Sequence, residues 1–317
     1  MERSFAVAVP QDGYRWWYID AVSDDGQHGL TIIAFIGSVF SPYYARARRR
    51  GLGDPRNHCA LNIALYQRGQ GRWALTERGS ADLQTSAQRL EIGPSSLRWE
   101  DGQLVVRIAE RCTPWLHRLE GELRLDGPFR EDLDFALDPH GRHHWGPIAP
   151  ATRAHLHLTH PQVRWSGDAY LDSNAGSVPL EQDFQRWHWS RQTCPDGSTE
   201  VYYDVDRRDG GTTLLRVRVA PQGAAESLPA PARANLPGTG WQLQRMSRLP
   251  AGSTQVVRTL EDTPFYARSL LRVDQTTAGS EPGLVMHESL DLDRFDRAWV
   301  QCLLPFRMPR IARRQPR

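Results

Sequence analysis

The amino-acid sequence predicts an all-β protein with two barrel-like domains and a short C-terminal helix. Most apolar runs are short and end at Gly, Pro or Asp-Gly, and several alternate between apolar and polar residues. Many short strands separated by turn signals are typical of β-barrels and sandwiches. Each half of the chain contains enough such runs to build a barrel of its own.

The predicted strands follow one another along the whole chain. The clearest hairpin has the turn Arg207-Arg208-Asp209-Gly210-Gly211 between two alternating runs. The cleanest alternation places His155 and His157 on the polar side of a strand. The strands are expected at residues 30–40, 104–109, 119–125, 153–158, 199–206, 212–220, 254–260, 266–273 and 284–290.

The last apolar stretch has helical spacing. Asp291 is a suitable N-cap, and Pro305 is expected to end the helix. We expect the apolar side to pack against a barrel, with residues 307–317 as a solvated basic tail, although a membrane-binding role is an open alternative. The apolar residues at this spacing are Leu292, Phe295, Trp299, Leu303 and Phe306.

The domain boundary is expected near the middle of the chain. Pro147-Ile148-Ala149-Pro150 resembles a connector, and residues 221–237, rich in Pro, Ala and Gly, resemble a long loop. We therefore predict an N-terminal domain of residues 1–155 and a C-terminal domain of residues 156–317.

Composition excludes several classes of function. All 39 basic residues are Arg, so Schiff-base chemistry and a Walker-type phosphate lysine are excluded. The net charge of +2 does not predict a nucleic-acid partner. The four cysteines are far apart and form no C-x-x-C pair, which fits free thiols in a reducing cytoplasm but leaves two disulfides open. No apolar run is long enough for a signal peptide or a membrane span.

A stretch of 47 residues, from position 143 to position 189, carries the strongest functional signal. It contains three pairs of polar or aromatic residues, and the two members of each pair are two positions apart. On a β-strand such residues point to the same side and lie about 6.5–7 Å apart. An acid framed by aromatic faces suits a reaction of an apolar substrate through a positive charge. The pairs are His143 and Trp145, Tyr170 and Asp172, and Trp187 and Trp189.

Structural interpretations of the same residues remain open at this point. Asp172 precedes Ser-Asn-Ala-Gly and is able to cap a turn. Tryptophans at strand spacing commonly belong to a barrel core. Asp20 and His58 are possible structural ties. The histidines between positions 140 and 160 allow a metal hypothesis, but no matched carboxylate or cysteine set accompanies them, so we predict no metal.

The chain resembles the carotenoid 1,2-hydratases, also called hydroxyneurosporene synthases. The resemblance runs in order over nearly the whole chain, which makes it specific. The segments that carry it are Tyr-Arg-Trp-Trp-Tyr-Ile-Asp-Ala at 14–21, residues 29–44, Asn-His-Cys-Ala-Leu-Asn at 57–62, Tyr-Leu-Asp-Ser-Asn at 170–174, Arg-Trp-His-Trp-Ser-Arg at 186–191 and Leu-Leu-Pro-Phe-Arg-Met-Pro-Arg at 303–310.

The resemblance implies two lipocalin-like β-barrel domains with the site between or beside them. Because residues 143–189 span the predicted boundary, we expect the site where the two barrels meet. The resemblance also implies cofactor-independent addition of water across the terminal C1=C2 double bond of an acyclic carotenoid such as neurosporene or lycopene. Asp172 is then the expected proton donor, and His143 helps to deliver water or orients the acid. The expected remaining catalytic residues are Trp145 and Tyr170, and the expected substrate-binding residues are Trp17, Tyr18, Trp187 and Trp189.

We expect a cytoplasmic protein, and a substrate without useful water solubility implies its peripheral contact with the inner or photosynthetic membrane. Its expected partners are the carotenoid and water. Two other functions are compatible with the same scaffold, a non-catalytic carrier of apolar ligands and a cyclase or pericyclase, because a scaffold does not determine its chemistry.

Overall fold

The computed structural model describes residues 3–67, 71–220, 223–249, 254–273 and 283–311. The chain forms two compact units, which we call unit 1 and unit 2. Unit 1 comprises Met1–Pro179 together with Cys302–Arg317, and unit 2 comprises Leu180–Gln301. Both units are built mainly of antiparallel strands, so the predicted all-β class is confirmed.

The described part of unit 1 contains one 13-stranded sheet. Its path is β22-β4-β3-β2-β1-β12-β11-β9-β8-β7-β6-β5, with β10 paired to β11. The strands are β1 (Tyr14–Ser23), β2 (Gly29–Ile36), β3 (Cys59–Tyr66), β4 (Arg72–Arg78), β5 (Leu83–Thr85), β6 (Arg89–Ile92), β7 (Ser95–Glu100), β8 (Gln103–Arg111), β9 (Arg118–Leu125), β10 (Phe135–Ala136), β11 (His143–His160), β12 (Val163–Gly176) and β22 (Arg310–Ile311).

The apolar core of unit 1 lies on one face of this sheet. Alternate residues of β1, such as Trp17, Ile19 and Ala21, join alternate residues of β2 and β3 in a single buried cluster. The helix α1 (Pro42–Arg48) follows β2, and Ser41 caps it by accepting a hydrogen bond from the backbone N–H of Tyr44. Two 3₁₀ helices, Pro55–Asn57 and Ser80–Asp82, complete the unit.

Within its described residues, unit 2 contains a seven-stranded sheet in the order β16-β15-β14-β13-β21-β20-β19 and a separate β17–β18 pair. Its described helices are α2 (Leu180–Asp183) and α3 (Leu292–Phe295), and α4 (Ala298–Arg307) begins in unit 2 and ends in unit 1. The strands are β13 (Phe184–Thr193), β14 (Thr199–Arg207), β15 (Thr212–Val219), β16 (Ala225–Ser227), β17 (Ala234–Leu236), β18 (Arg245–Ser247), β19 (Thr254–Asp262), β20 (Tyr266–Val273) and β21 (Gly283–Asp291).

Eight of the nine predicted strands lie within strands of the structure, apart from single terminal residues. The ninth, predicted at residues 30–40, ends at Ile36, because the chain bends at Gly37, where φ is +73°. This left-handed conformation favours glycine. A side chain there would also meet the backbone oxygen of Gly13 at 2.5 Å.

The proposed connector at residues 147–150 is wrong. These residues lie inside β11, an 18-residue strand that pairs with β12 on both sides of them. The register shifts between Pro147 and Ala149 and again between Ala149 and Thr152. Prolines are tolerated in a strand at such irregular positions, since the missing N–H is not required by the ladder. The predicted boundary at residue 155 also falls inside this strand, whereas the compact units divide after Pro179.

The C-terminal helical segment differs from its prediction in two respects. Asp291 caps α3 as expected, accepting a hydrogen bond from the backbone N–H of Arg294. Pro305 does not end α4, which continues to Arg307. The apolar side of α4 is not packed away either, since Trp299, Leu303 and Phe306 are 46%, 45% and 74% exposed.

Candidate functional site

The central strands of unit 1 place a polar, aromatic surface opposite the apolar core. In the antiparallel register Tyr18 lies opposite Asp172, and Asp172 lies opposite Pro147 of β11. Directly opposed residues point to the same side of a sheet. The alternate residues of β1, β12 and β11 therefore share one face, which we call the acid face. It carries Tyr14, Trp16, Tyr18, Asp20, Tyr170, Asp172, Asn174, His143 and Trp145.

Asp172 is at the centre of the acid face and is 2% exposed. The indole Nε1 of Trp145 donates a hydrogen bond to its Oδ2 at 2.8 Å, and the hydroxyl of Tyr170 donates to the same oxygen at 2.8 Å. An oxygen that accepts two hydrogen bonds remains an acceptor in both protonation states. A proton on this carboxyl group is therefore carried by Oδ1.

The structure thus brings three of the four predicted catalytic residues into direct contact. The fourth, His143, lies further along the face. It is opposite Gly176, four residues from Asp172, which corresponds to about 13 Å along a strand. Its Nδ1 shares a hydrogen bond of 2.8 Å with the Tyr14 hydroxyl.

His143 is held in place by a turn and by a glycine. Asp138 accepts hydrogen bonds from the backbone N–H groups of His140, Arg142 and His143 at 2.7–2.8 Å. Burial opposes the ionisation of Asp138, but these N–H groups hold its pKa below the usual value. A Cβ on Gly176 would lie 2.3 Å from the Tyr14 ring and 2.8 Å from His143 Nδ1, so only glycine leaves room for this pair.

The two predicted substrate-binding residues of β1 point to opposite sides of the sheet. Tyr18 lies on the acid face, with its ring edge-to-face against Tyr170 at 6.3 Å. Trp17 points to the opposite side, where it belongs to the apolar core and packs edge-to-face on Phe5 at 5.0 Å. Its alternation with Tyr18 in the strand makes this separation unavoidable.

Sequence reasoning missed aromatic residues that share the acid face. Trp16 stacks on Tyr14 at 4.9 Å and meets Phe35 edge-to-face at 6.0 Å. Phe135 stacks on Trp145 at 5.2 Å. The signal for Trp16 was present, since it has the same parity in β1 as Tyr18 and Asp20. No local sequence signal indicated the strand register that places Phe35 beside Trp16.

Trp187 and Trp189 belong to unit 2. They are 7% and 3% exposed, and Trp187 packs edge-to-face on Tyr203 at 5.2 Å. The strand register puts both tryptophans on the side of β13 opposite from His188 and Ser190. They therefore form a buried aromatic face in their own unit.

The other side of the same strands carries a buried histidine pair. His188 Nδ1 and Ser289 Oγ are 2.9 Å apart, and His287 Nδ1 and Ser190 Oγ are 2.8 Å apart. Burial lowers the pKa of His188 to about 4 and, together with the nearby His188, lowers that of His287 to about 3. Both rings are therefore neutral at pH 7 and serve as hydrogen-bonding parts of the unit.

His58 is a structural tie, as the sequence allowed. It bonds through Nδ1 to Glu77 Oε1 at 2.8 Å, and the guanidinium of Arg310 also binds this carboxylate. Glu77 is fully buried, and Arg310 lies in the terminal strand β22. The cluster therefore anchors the end of the described chain to β4.

Two features bear on metals and membranes. The described residues contain no group of three or more His, Cys, Asp or Glu side chains arranged to hold a metal ion. His155 lies on the exposed side of β11, where it contacts Asp126 and Ser166.

Among the helices that the structure describes, none is long and apolar enough to cross a bilayer.

Fold and site together define a class of protein. The structure superposes on an AttH protein from Nitrosomonas europaea with a TM-score of 0.60 and 16% identity, covering 90% of this chain and 96% of that one. It also superposes on kievitone hydratase from Nectria haematococca with a TM-score of 0.55 and 8% identity, covering 91% and 92%. At these identities the match concerns the fold alone, and it confirms the predicted lipocalin-like class. The chain is thus a lipocalin-like β protein with a buried carboxyl group on an aromatic face.

The family is established by sequence. The model of the family described as carotenoid hydratase CrtC matches residues 32–317. The acyclic carotenoid 1,2-hydratase of Thiocapsa roseopersicina is 50% identical over 97% of this chain and 75% of its own length. That of Rubrivivax gelatinosus is 47% identical over 97% and 76%. The protein belongs to the carotenoid hydratase family, as the sequence motifs predicted.

Proposed function

We propose that the protein is an acyclic carotenoid 1,2-hydratase in which Asp172 protonates the terminal double bond. The observation that carries this proposal is the buried Asp172 carboxyl group, held by Trp145 and Tyr170 through one oxygen. The names of the similar enzymes supply the substrate class, acyclic carotenoids. Neurosporene and lycopene are the substrates that we propose to test.

The chemistry requires an acid that is strong yet protonated. A trisubstituted alkene is a weak base, and protonation of its less substituted carbon, C2, leaves a tertiary cation at C1. Burial of Asp172 favours the protonated carboxyl group. The donors on Oδ2 favour the carboxylate that forms as the proton leaves Oδ1, so they stabilise the transition state more than the ground state.

The aromatic side chains of the acid face suit the cation. Trp145 and Tyr170 form hydrogen bonds with Asp172, and Tyr18 lies opposite it on the neighbouring strand. A cation over such a ring gains about 0.5–2 kcal/mol in a desolvated site. Water then attacks C1 and loses a proton, which gives a tertiary alcohol. Because hydration is redox-neutral, the stoichiometry requires no electron carrier, in keeping with the cofactor-independent reaction that we propose.

The buried acid also favours an enzyme over a carrier. A protein that only binds an apolar ligand gains nothing from a buried carboxyl group, whose desolvation costs several kcal/mol if it is ionised and unpaired. The two hydrogen bonds to one oxygen of that group would stabilise the carboxylate that forms when its proton is transferred.

The test of this function is production of hydroxylated carotenoid in a lycopene-producing bacterium, analysed by mass. The wild type is expected to add one or two molecules of water, and Asp172→Asn is expected to add none. Asp168→Asn is a matched control, because Asp168 lies on the same strand but its side chain is 58% exposed and paired with Arg153. Hydration by Asp172→Asn near the wild-type rate would disprove the proposed acid.

We also propose peripheral contact with the membrane that holds the substrate, through the apolar face of α4. This face consists of Trp299, Leu303 and Phe306, spaced at one turn and exposed to solvent. Trp241, 48% exposed, stacks on Trp299 at 6.2 Å. Exposed aromatic and aliphatic side chains beside arginines are typical of interfacial helices.

Flotation with anionic phospholipid vesicles tests this contact. Replacing all three residues of the α4 face by Ser is expected to abolish binding. Replacing Trp115 and Leu116 by Ser is the control, because these residues are 78% and 62% exposed on a loop of unit 1. Loss of binding in the control, with binding retained in the α4 variant, would show that the loop and not the helix meets the membrane.

A further inference from the structure

The Tyr-x-Asp motif of the acid face occurs twice, on neighbouring strands. Tyr170 and Asp172 belong to β12, and Tyr18 and Asp20 occupy the same relative positions on β1. The antiparallel register places Tyr18 opposite Asp172 and Asp20 opposite Tyr170. The two motifs are therefore related by a local two-fold axis perpendicular to the sheet.

Their contacts follow the same symmetry. The Tyr18 hydroxyl donates to Asp20 Oδ2 at 3.3 Å, as the Tyr170 hydroxyl donates to Asp172 Oδ2 at 2.8 Å. Asp20 is 0% exposed and Asp172 is 2% exposed. The acid face thus holds two buried carboxyl groups, of which the proposed protonation step uses one.

The register also places the two aspartates close together on this face. Asp20 and Asp172 are diagonal neighbours, whose Cα atoms are about 7–8 Å apart and whose side chains start somewhat closer together. In hydrolases that use one carboxyl group as acid and another to activate water, the two groups are about 6.5–9.5 Å apart, which leaves room for the water. His143, at about 13 Å along the strand from Asp172, is less well placed for that second task.

A second observation lies next to Asp20 on its other side. The register of β1 and β2 places Thr31 directly opposite Asp20, on the acid face. Thr31 is 1% exposed, and among the described residues its Oγ1 has no hydrogen-bond partner. A buried hydroxyl without a partner costs about 1–3 kcal/mol, and a bound water is the usual way to satisfy it.

The surroundings of the two carboxyl groups differ, which assigns their roles. Asp172 has Pro147 opposite it on β11 and accepts the indole N–H of Trp145. Asp20 has a hydroxyl-bearing residue, Thr31, opposite it on β2. Pairs of carboxyl groups in unlike environments commonly divide acid and base between them.

We infer that Asp20 is the general base of the hydration, and that it holds the attacking water together with Thr31. This inference rests on the proposed function. Asp172 Oδ1 gives its proton to C2, the π bond breaks, and the water oxygen bonds to C1. The proton that this water loses passes to the Asp20 carboxylate. The cycle closes when one proton returns from Asp20 to Asp172, so no other reactant is consumed.

The inference predicts distinct effects for two substitutions. Asp20→Asn removes the base, and general-base catalysis is worth about 10²–10⁴ in rate. We expect kcat to fall at least about 100-fold with KM within a few-fold of the wild-type value. Thr31→Val is expected to lower kcat about 10-fold, as one of two groups that position the water.

Thr199→Val is the matched control, because Thr199 in unit 2 is also fully buried and its Oγ1 also has no hydrogen-bond partner among the described residues. It is expected to keep the wild-type kcat. The enzymes are assayed with lycopene in vesicles, and thermal unfolding is recorded for each.

A folded Asp20→Asn variant with kcat within threefold of the wild type overturns the inference. If Asp20→Asn does not fold, Thr31→Val decides: a wild-type kcat overturns the inference, and a fall that Thr199→Val does not share supports it. An inactive wild type refutes the proposed function and the inference with it. An active wild type with an inactive Asp172→Asn and an active Asp20→Asn refutes the inference alone.

Discussion

Removing the indole donor from Asp172 is the most direct test of how the acid face works. In Trp145→Phe the carboxyl group loses the 2.8 Å hydrogen bond from Nε1, while a smaller aromatic ring remains at the position that stacks on Phe135. The variant therefore separates hydrogen bonding to the acid from packing around it.

The expected size of the effect follows from the charge that develops on Oδ2. A hydrogen bond to a neutral acceptor contributes about 0.5–1.5 kcal/mol, and one to a charged acceptor contributes about 1.5–3 kcal/mol. The bond thus stabilises the ionised carboxylate over the acid by roughly 1–1.5 kcal/mol. Its loss is expected to lower kcat about 5- to 10-fold. KM should change little, because the lost interaction grows only as the proton leaves.

The assay is the initial rate of hydrated product formed from lycopene in vesicles, over a range of substrate. Trp99→Phe is the matched control, because the Trp99 indole donates to the backbone oxygen of Arg3 at 3.1 Å, and Trp99 packs against the apolar core rather than on the acid face. A kcat for Trp145→Phe equal to that of the control would refute the reasoning. A rise in KM with unchanged kcat would assign Trp145 to substrate binding alone.

Three further predictions concern stability. Burial lowers the folded-state pKa of His188 to about 4 and of His287 to about 3, so the unfolded state binds more protons than the folded state below pH 6.5. Lowering the pH from 7.5 to 5.5 should therefore reduce the free energy of unfolding in urea by roughly 1.4 kcal/mol for each residue. A variant with Gln at both positions that keeps this pH dependence would contradict the prediction. Arg310→Ala leaves the buried Glu77 with His58 as its remaining partner, so thermal melts should show a loss of stability approaching the roughly 3–5 kcal/mol typical of a broken buried ion pair. Arg98→Ala, which removes an exposed ion pair, is the control and should cause no such loss. Gly176→Ala should destabilise the protein by about 1–3 kcal/mol through overpacking against Tyr14 and His143. An unchanged melting temperature would show that these two side chains can move aside.

Local sequence signals identified the carboxyl group that we propose as the acid, but not its full surroundings. The spacing of Tyr170 and Asp172 and the family motifs were sufficient to place both on one side of a strand. The same spacing in Tyr18 and Asp20 was visible, but its significance depends on a register between strands that lie about 150 residues apart in the chain. The parity of Trp16 with Tyr18 and Asp20 in β1 was also visible in the sequence, and it favours Trp16 over Trp17 as a residue of the same face.

The errors at the level of the fold have a similar origin. Prolines at positions 147 and 150 usually signal a break, and only pairing with β12 on both sides shows that the strand continues through them. Pro305 usually ends a helix, yet α4 extends two residues past it, and Met308 N–H still bonds to the carbonyl of Leu304 at 2.8 Å. In both cases the local rule describes the cost of proline but not the contacts that offset it.

By itself, the sequence determined the all-β class, most strand positions, the family and the carboxyl group proposed as the acid. These depend on alternation, turn residues and motifs within a few positions of one another, which local chemistry encodes directly. Only the tertiary structure decided which side of β1 faces Asp172, that Trp145 and Tyr170 bind the same oxygen, and that Asp20 and Thr31 lie together beside them. Strand register decides these points, because a shift of one residue would turn every side chain to the other face.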